Sequence, residues 1–490
     1  MSELSLVILL AAGDSKRMKS KQSKVLHKIA GRSVIANLLD SVEQLNGKNL
    51  TVVVGANKDE VVEHLSKIAP KAKTVFQEKR DGTGGATQLA LADYKGDGTV
   101  LILAADTPLL THQTLSEFVQ VHQKEKQSAS VLTAMLPDPT GYGRVIRGDD
   151  GQILKIVEEK DASEIEKEID EINTGVYLFD LALLRDVIKN LKSNNAQNEL
   201  YLPDVIGLIN STGKKSYAVL SNDYTETLGI NDRAQLAEVS AIMRDRINNQ
   251  HMLNGVAIVD PANTWIDHGV EIASDVVIYP GCAISGKSVI KTGAVIGPRT
   301  TLEDCIVDEG AKVVESNCTE SKIGKDAKVG PFTYLRKGSV LANESKAGAF
   351  VEIKNSTVGE GTKVAHLSYV GDAEIGKESN IGAATIFVNY DGERKHKTTV
   401  GDHVRIGSDT MLVAPVSVGD GAYTAAGSVI NEDVPAGAIG IGRAKQVNIL
   451  GWVLRKRGNS KSAAAAKKAG AKDGLTSSRV KPDPPQRGGS

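Results

Sequence analysis

The chain has 490 residues, 41% of them hydrophobic and only 4% aromatic, with a net charge of −1. Such a length predicts more than one domain, and the balanced charge gives no case for nucleic acid or an anionic membrane as a partner. Cys282, Cys305 and Cys318 form neither a CxxC pair nor an even framework, so reduced cytosolic thiols are expected. The apolar run Leu6 to Ala12 is too short to span a bilayer and has no basic segment before it. It reads as a buried strand, not a signal peptide, and no other run reaches the length of a membrane span. No stable membrane association and a cytoplasmic location are the expectation.

Residues 1–231 read as an α/β domain. Val7–Leu10, Thr51–Val54 and Val100–Leu103 are short apolar runs separated by helical-looking segments. Runs of this kind predict parallel strands buried on both faces. The first strand runs into Leu10-Ala11-Ala12-Gly13-Asp14-Ser15-Lys16-Arg17-Met18, with Lys24 soon after. Small residues at a strand's carboxyl edge let backbone N–H groups approach a phosphate or a base, and Arg17 and Lys24 add positive charge for a triphosphate. Gln77 precedes a second glycine-rich loop, Gly82-Thr83-Gly84. Asp106 follows a strand at the edge where open α/β sheets place their ligands, although a lone Asp there is a helix cap more often than a metal ligand. Gly141-Tyr142-Gly143-Arg144, Glu158, Asn173-Thr174-Gly175 and Asn231 complete the set.

Leu236, Val239, Met243 and Ile247 share one helical face, which predicts a linker helix over 232–253. From 254 to 454 the pattern changes to a six-residue period. Ile272, Ile278, Ile284, Ile290, Ile296 and Leu302 are six apart. The register slips and resumes at Ile323, at Ile375 and at Val400. That period fits neither a helix nor a simple strand; it fits a hexapeptide parallel β-helix that stacks aliphatics on one axis. Gly after the aliphatic, as in Ile296-Gly297 and Ile406-Gly407, is expected to permit a tight corner or a positive φ. Two irregular inserts are expected, near 342–350 and 388–398. Arg336, Lys354, His366, Tyr369, Asn380, Asn389 and Tyr390 concentrate around them. Any one of these is a surface residue by default; together they offer two cations for a phosphate and an imidazole able to take a proton. Residues 455–490, with ten basic residues against two acidic, are expected to be a disordered basic tail.

Taken in order and spacing, these motifs resemble those of the sugar-phosphate nucleotidyltransferases. They are similar to the bacterial bifunctional N-acetylglucosamine-1-phosphate uridyltransferase/glucosamine-1-phosphate N-acetyltransferase family over about 1–453. The resemblance implies a Rossmann-like nucleotidyltransferase domain joined by a helix to a left-handed parallel β-helix, assembled as a homotrimer. It implies that UTP and UDP-N-acetylglucosamine are held by Leu10, Ala11, Ala12, Gly13, Lys24, Gln77, Gly82, Thr83, Gly143, Glu158, Asn173 and Asn231. Asp106 and Asn231 would bind Mg²⁺, and Arg17 and Lys24 would neutralise developing charge. On the β-helix it implies His366 as general base. Arg336, Lys354, Tyr369 and Asn380 would hold glucosamine-1-phosphate, and Ala383, Asn389, Tyr390, Ser408, Ala426 and Arg443 would line the acetyl-CoA groove.

Five positions depart from the family pattern: Ser15 and Lys16 replace Gly and Thr, Ser23 replaces Pro, Ala105 replaces Gly, and Ala384 replaces a Gly beside the coenzyme. At Ser15 the freedom to take positive φ is expected to be lost, and at Ala105 a methyl is expected to crowd the nucleotide. The alternative reading keeps only one of the two activities, with the other domain serving assembly or regulation.

Overall fold

The computed structural model describes residues 3–472 apart from 14, 46 and 57. Apolar runs become the strands of one nine-stranded sheet. In chain order these are β1 (Leu4–Ala11), β2 (Leu50–Val54), β3 (Lys73–Phe76), β4 (Thr99–Ala104), β5 (Ala129–Met135), β6 (Arg144–Arg147), β7 (Ile153–Val157), β8 (Glu171–Asp180) and β9 (Ser216–Leu220). The main path runs β9–β5–β8–β4–β1–β2–β3, with β6 and β7 as a side ladder against β8. β1 pairs in parallel with both β2 and β4, while β8 is antiparallel to its neighbours. Leu6, Ile8 and Leu9 are all fully buried because helices cover both faces of the sheet. The chain order reverses between β1 and β4, so their carboxyl ends diverge there and leave a crevice.

A long helix, α1 (Arg233–Leu253), leaves this domain. Asp232 caps it, accepting the N–H groups of Ala234 and Gln235 at 2.9 Å. Leu236, Val239, Met243 and Ile247 pack in one cluster, as their spacing predicts. Near its far end Asn248 is fully buried and donates to the carbonyls of Pro261 and Thr264, both at 2.9 Å, which ties the helix to the first coil that follows.

That coil begins a three-sided parallel β-helix whose faces are sheets of eleven, ten and nine very short strands. One aliphatic per strand points inward, and together they make a single core from Val256 to Val434. Where the period slips, the step shortens from six residues to five: Leu302 to Val307, Val313 to Cys318, Cys318 to Ile323, Ile353 to Val358, Val370 to Ile375. All of these side chains stay in the core. The glycines after the aliphatics serve close approach more than positive φ. A Cβ on Gly407 would lie 2.6 Å from the backbone nitrogen of Ala426 in the next coil, so no side chain fits there.

Two expectations are corrected. The stretch near 342–350 is not an irregular insert. It contains the strand Lys346–Ala349, and Ala347 takes an inward position between Val329 and Val364. A small alanine in place of Ile or Val hid the period. Only the stretch near 388–398 leaves the coil, and there Ile375 pairs with Val400. The tail is also more ordered than its composition predicts. Helix α2 (Lys461–Lys468) is capped by Ser460 and buries Ala463, so 455–472 is not disordered as described. Ala463 to Ala466 is the strongest helix-forming run available, and averaging it with the Gly- and Pro-rich end conceals it. Residues 473–490 lie outside the described residues. Among the described residues no helix is long and apolar enough to cross a membrane.

Candidate functional site

The crevice between β1 and β4 is a cleft of about 810 Å³. Leu10, Ala11, Ala12 and Gly13 continue β1 along its floor, and Gln77, Gly82 and Thr83 come from the second loop. Gly143 just before β6, Glu158 just after β7 and Asn173 in β8 line it, and Arg17, Lys24, Asp106 and Asn231 also face it. The structure therefore gathers every nucleotide- and sugar-side residue picked out in the sequence. Gly82 is held at φ +94, with Leu200 so close that an added Cβ would lie 2.6 Å from its carbonyl oxygen. Thr83 Oγ1 accepts the N–H of Leu202 at 3.0 Å, and Gln77 donates to Asp81 Oδ1 at 2.7 Å and to the Gly82 carbonyl at 3.0 Å.

The charged end is set by three side chains. The Lys24 ammonium contacts Asp106 Oδ2 and donates to Asn231 Oδ1 at 3.2 Å. A carboxylate and an amide oxygen thus already converge on one positive charge. Asn231 is fixed by its own N–H on Gln235 Oε1 at 2.8 Å and by the Ile230 N–H on the Asp106 carbonyl at 3.0 Å. Among the described residues no group of three or more His, Cys, Asp or Glu side chains converges as a metal site. Glu158 has a different environment. Burial, and then the negative charges of Asp204, Asp161 and Glu199, push its carboxyl up to about 7. Asn173 is oriented by the Tyr177 hydroxyl, which donates to its Oδ1 at 2.8 Å.

The departures prove mild in three places and strained in one. Ser15 sits at φ −87, so no positive φ is needed, and its hydroxyl accepts the Lys24 N–H at 2.9 Å. Ser23 takes φ −58 and ψ 140, the geometry that proline would have fixed. Ala105 is fully buried among the core residues beneath the sheet, and Ala104 and Asp106 line the cleft in its stead. Its methyl therefore does not crowd the cleft. Ala384 does occupy the left-handed region, at φ +58.

On the β-helix the chosen residues fall in two rows. Arg336, Lys354 and Asn389 belong with the far edge of the ten-stranded face. Arg336 pairs with Glu352 at 2.9 Å, and Asp372 accepts the amides of Asn355 at 2.7 Å and Asn389 at 2.5 Å. The neighbouring Lys395 ammonium depresses the pKa of Lys354, with burial adding to it. Asp372 stays below the usual range although burial opposes this, held there by its two amide donors and by Lys354 and Lys395. Tyr390 bridges to Lys395, and Asp391 accepts the backbone N–H of Arg394 at 2.6 Å and pairs with His396 at 2.6 Å, so the insert is a closed loop. The other row follows the corners between the eleven- and ten-stranded faces. His366 is exposed at the end of Lys363–His366, and Tyr369 opens the next strand. One coil later come Asn380 and Ala383; the Ala383 carbonyl accepts from Asp409 at 2.7 Å and that of Ser408 from Gly427 at 2.8 Å. Ala426 and Arg443 lie beside Gly427 at the next level. A cavity of about 390 Å³ lies against Asp372 and Lys395; neither His366 nor Ala383 lines it.

Sequence reasoning passed over Tyr142, Asp372 and Lys395 as contributors. Tyr142 and Asp372 stood inside the quoted motifs without a role. Lys395 carried no signal, since a Lys in an exposed loop is solvated by default.

Residues 7–155 match the MobA-like NTP transferase domain, and residues 397–432 match the bacterial transferase hexapeptide (six repeats). A bifunctional protein GlmU of Streptomyces avermitilis is 48% identical over 95% of this chain and 97% of its own length. The chain belongs to the GlmU family. Similar relatives named bifunctional protein GlmU come from Corynebacterium glutamicum, 48% identical over 95% of this chain and 97% of the relative, and from Mycolicibacterium gilvum, 49% identical over 94% of each. The two matches fall on the domain that holds the cleft and on the three-sided β-helix.

Proposed function

We propose that this chain makes UDP-N-acetylglucosamine in two steps. The β-helix acetylates glucosamine-1-phosphate with acetyl-CoA, and the N-terminal cleft then transfers UMP from UTP to N-acetylglucosamine-1-phosphate, releasing pyrophosphate. The observation that carries the reading is the convergence of Lys24, Asp106 and Asn231 in one cleft with Gly143, Glu158 and Asn173. A triphosphate needs the first group and a polar sugar the second.

In the uridyl step, the floor from Leu10 to Gly13 presents backbone N–H groups to the nucleotide, with Gln77, Gly82 and Thr83 opposite. Arg17 and Lys24 neutralise the triphosphate and hold it in line with the sugar phosphate. Asp106 and Asn231 fit a divalent cation, Mg²⁺ in this reading, because their oxygens already share the Lys24 ammonium. One carboxylate and one amide leave most of its shell to phosphates and water, as Mg²⁺ prefers. When bound, it offsets charge on the α-phosphate and the departing pyrophosphate.

In the acetyl step, His366 takes a proton from the sugar's 2-amine, which is mainly protonated at neutral pH and cannot otherwise attack a thioester. Arg336 and Lys354 receive the phosphate, Tyr369 and Asn380 the sugar, and Ala383, Asn389, Tyr390, Ser408, Ala426 and Arg443 the coenzyme. The two rows lie on different edges of one face, which supports a homotrimer whose neighbouring copies complete the site. Phe332, Phe350 and Leu367 stand 56, 62 and 59% exposed along the His366 edge, an apolar strip suited to a partner copy. Three unpaired buried thiols suit a reducing, cytoplasmic compartment.

The test is one incubation of the purified protein with glucosamine-1-phosphate, acetyl-CoA, UTP and Mg²⁺. UDP-N-acetylglucosamine is expected only when all four are present. No pyrophosphate from UTP and N-acetylglucosamine-1-phosphate would refute the first half of the reading, and no free thiol from acetyl-CoA and glucosamine-1-phosphate the second.

A further inference from the structure

We infer that Arg144 is the positioning residue of the sugar end of the uridyl-transfer cleft: its buried guanidinium fixes the gap between Gly143 and Glu158. The inference rests on the sugar-binding roles proposed above for Gly143, Glu158 and Asn173.

Arg144 is only 2% exposed, an extreme burial for an arginine. It opens β6 at the point where three site-bearing segments meet. Its backbone pairs with Ile172 on one side, next to Asn173, and with Val157 on the other, next to Glu158. The Gly143 carbonyl accepts the Asn173 N–H at 2.8 Å, so that side of the gap is tied through the backbone. The other side has the β6–β7 ladder, and the Arg144 side chain adds a second tie beyond its end. One terminal nitrogen donates to the Tyr142 carbonyl and pairs with Glu159 Oε2 at 2.9 Å; the other donates to the Lys167 carbonyl at 3.4 Å. The guanidinium therefore grips the residue before Gly143 and the residue after Glu158. The approach is close: a Cβ on Gly143 would lie 3.2 Å from Glu158 Oε1.

Stability does not explain this arrangement. A buried ion pair often contributes no more than well-packed apolar residues would, and neither Nε of Arg144 nor Oε2 of Glu159 has a hydrogen-bond partner among the described residues, so the two meet as a charge pair only. A planar fork does what an aliphatic side chain or a lysine cannot, which is to hold two separate loops at set angles. It also leaves Glu158 out of the ion pair. The cation is spent on Glu159, so the Glu158 carboxyl stays available to a sugar hydroxyl.

The test uses the full-length protein with Arg144→Lys and Glu159→Gln, following pyrophosphate release while N-acetylglucosamine-1-phosphate and UTP are varied in turn. The wild type comes first; if it shows no dependence on the sugar phosphate, the proposed function fails, whatever the variants do. With that dependence in hand, Arg144→Lys is expected to raise KM for the sugar phosphate by about 10- to 100-fold. KM for UTP should stay within about twofold and kcat at saturation should largely persist. Glu159→Gln should shift the same constant by about three- to tenfold. A purely structural arginine would instead lower the thermal midpoint and move both KM values together. That pattern, or an unchanged sugar KM in folded Arg144→Lys, overturns the inference. Should Arg144→Lys fail to fold, Glu159→Gln decides: an unchanged sugar KM again overturns it.

Discussion

In the N-terminal cleft, residues from three strands, β1, β4 and β8, and from the segments beyond the strand ends surround one space within a single chain. Along the β-helix, residues chosen by the same reasoning stand in two rows on different edges of one face. An open α/β sheet makes a crevice wherever its strand order reverses, so a single copy can enclose a substrate. A solenoid has flat sides and no crevice, so its side chains can be arrayed but not enclosed without a second surface. The difference predicts that the uridyl site depends on local geometry and the acetyl site on assembly.

The largest effect expected is at His366. His366→Ala should lower acetyl transfer by about 10²- to 10⁴-fold while leaving uridyl transfer intact; loss of both in a folded variant breaks the separation of the two regions. Lys24→Met should lower uridyl kcat by about 10²- to 10³-fold and spare acetyl transfer, measured by pyrophosphate and thiol release in parallel. A core cut in the β-helix sharpens the contrast. Ile381→Ala removes a buried side chain at the level of Asn380 and should cost about 2–5 kcal/mol by denaturant unfolding. Acetyl transfer should fall with it and uridyl transfer should survive.

A smaller effect concerns Glu158, whose carboxyl is raised from 4.5 to about 7, chiefly by burial. Between those values the folded protein keeps a proton that the unfolded chain has released, so its contribution to stability falls as pH rises through that window. Glu158→Gln should raise the thermal midpoint at pH 8 relative to wild type and not at pH 4. Its KM for the sugar phosphate should lose any inflection near pH 7. The smallest effect is at Ala384, a non-glycine residue at φ +58. Ala384→Gly should relieve up to about 1 kcal/mol of backbone strain, partly offset by glycine's greater freedom when unfolded. A midpoint that falls would show that the coil already accommodates the methyl.

Much of this contrast was legible in the sequence, unevenly. The inward aliphatics of the β-helix could be read because every six-residue step deposits one on the axis. The reading faltered only where a step shortened to five or where Ala347 stood for a larger residue. The cleft residues could be read from strand-end glycines and isolated polar groups, and all of them line one space. What stayed hidden depends on side chains meeting across long sequence distances. The grip of Arg144 on Glu159, the Lys354–Lys395 proximity and the sharing of Lys24 between Asp106 and Asn231 leave no local pattern. The proline-like backbone of Ser23 and the inward methyl of Ala105 also leave no mark in the sequence, since both residues look like losses by type alone.

The central claim is that two separate sites on one chain act in order through a released intermediate. The most direct test mixes two purified, folded variants, His366→Ala and Asp106→Asn, with glucosamine-1-phosphate, acetyl-CoA, UTP and Mg²⁺. Each alone should yield no UDP-N-acetylglucosamine beyond trace, and the mixture should restore it after a lag. Product from either variant alone, or a mixture that stays inactive while wild type succeeds, contradicts the account.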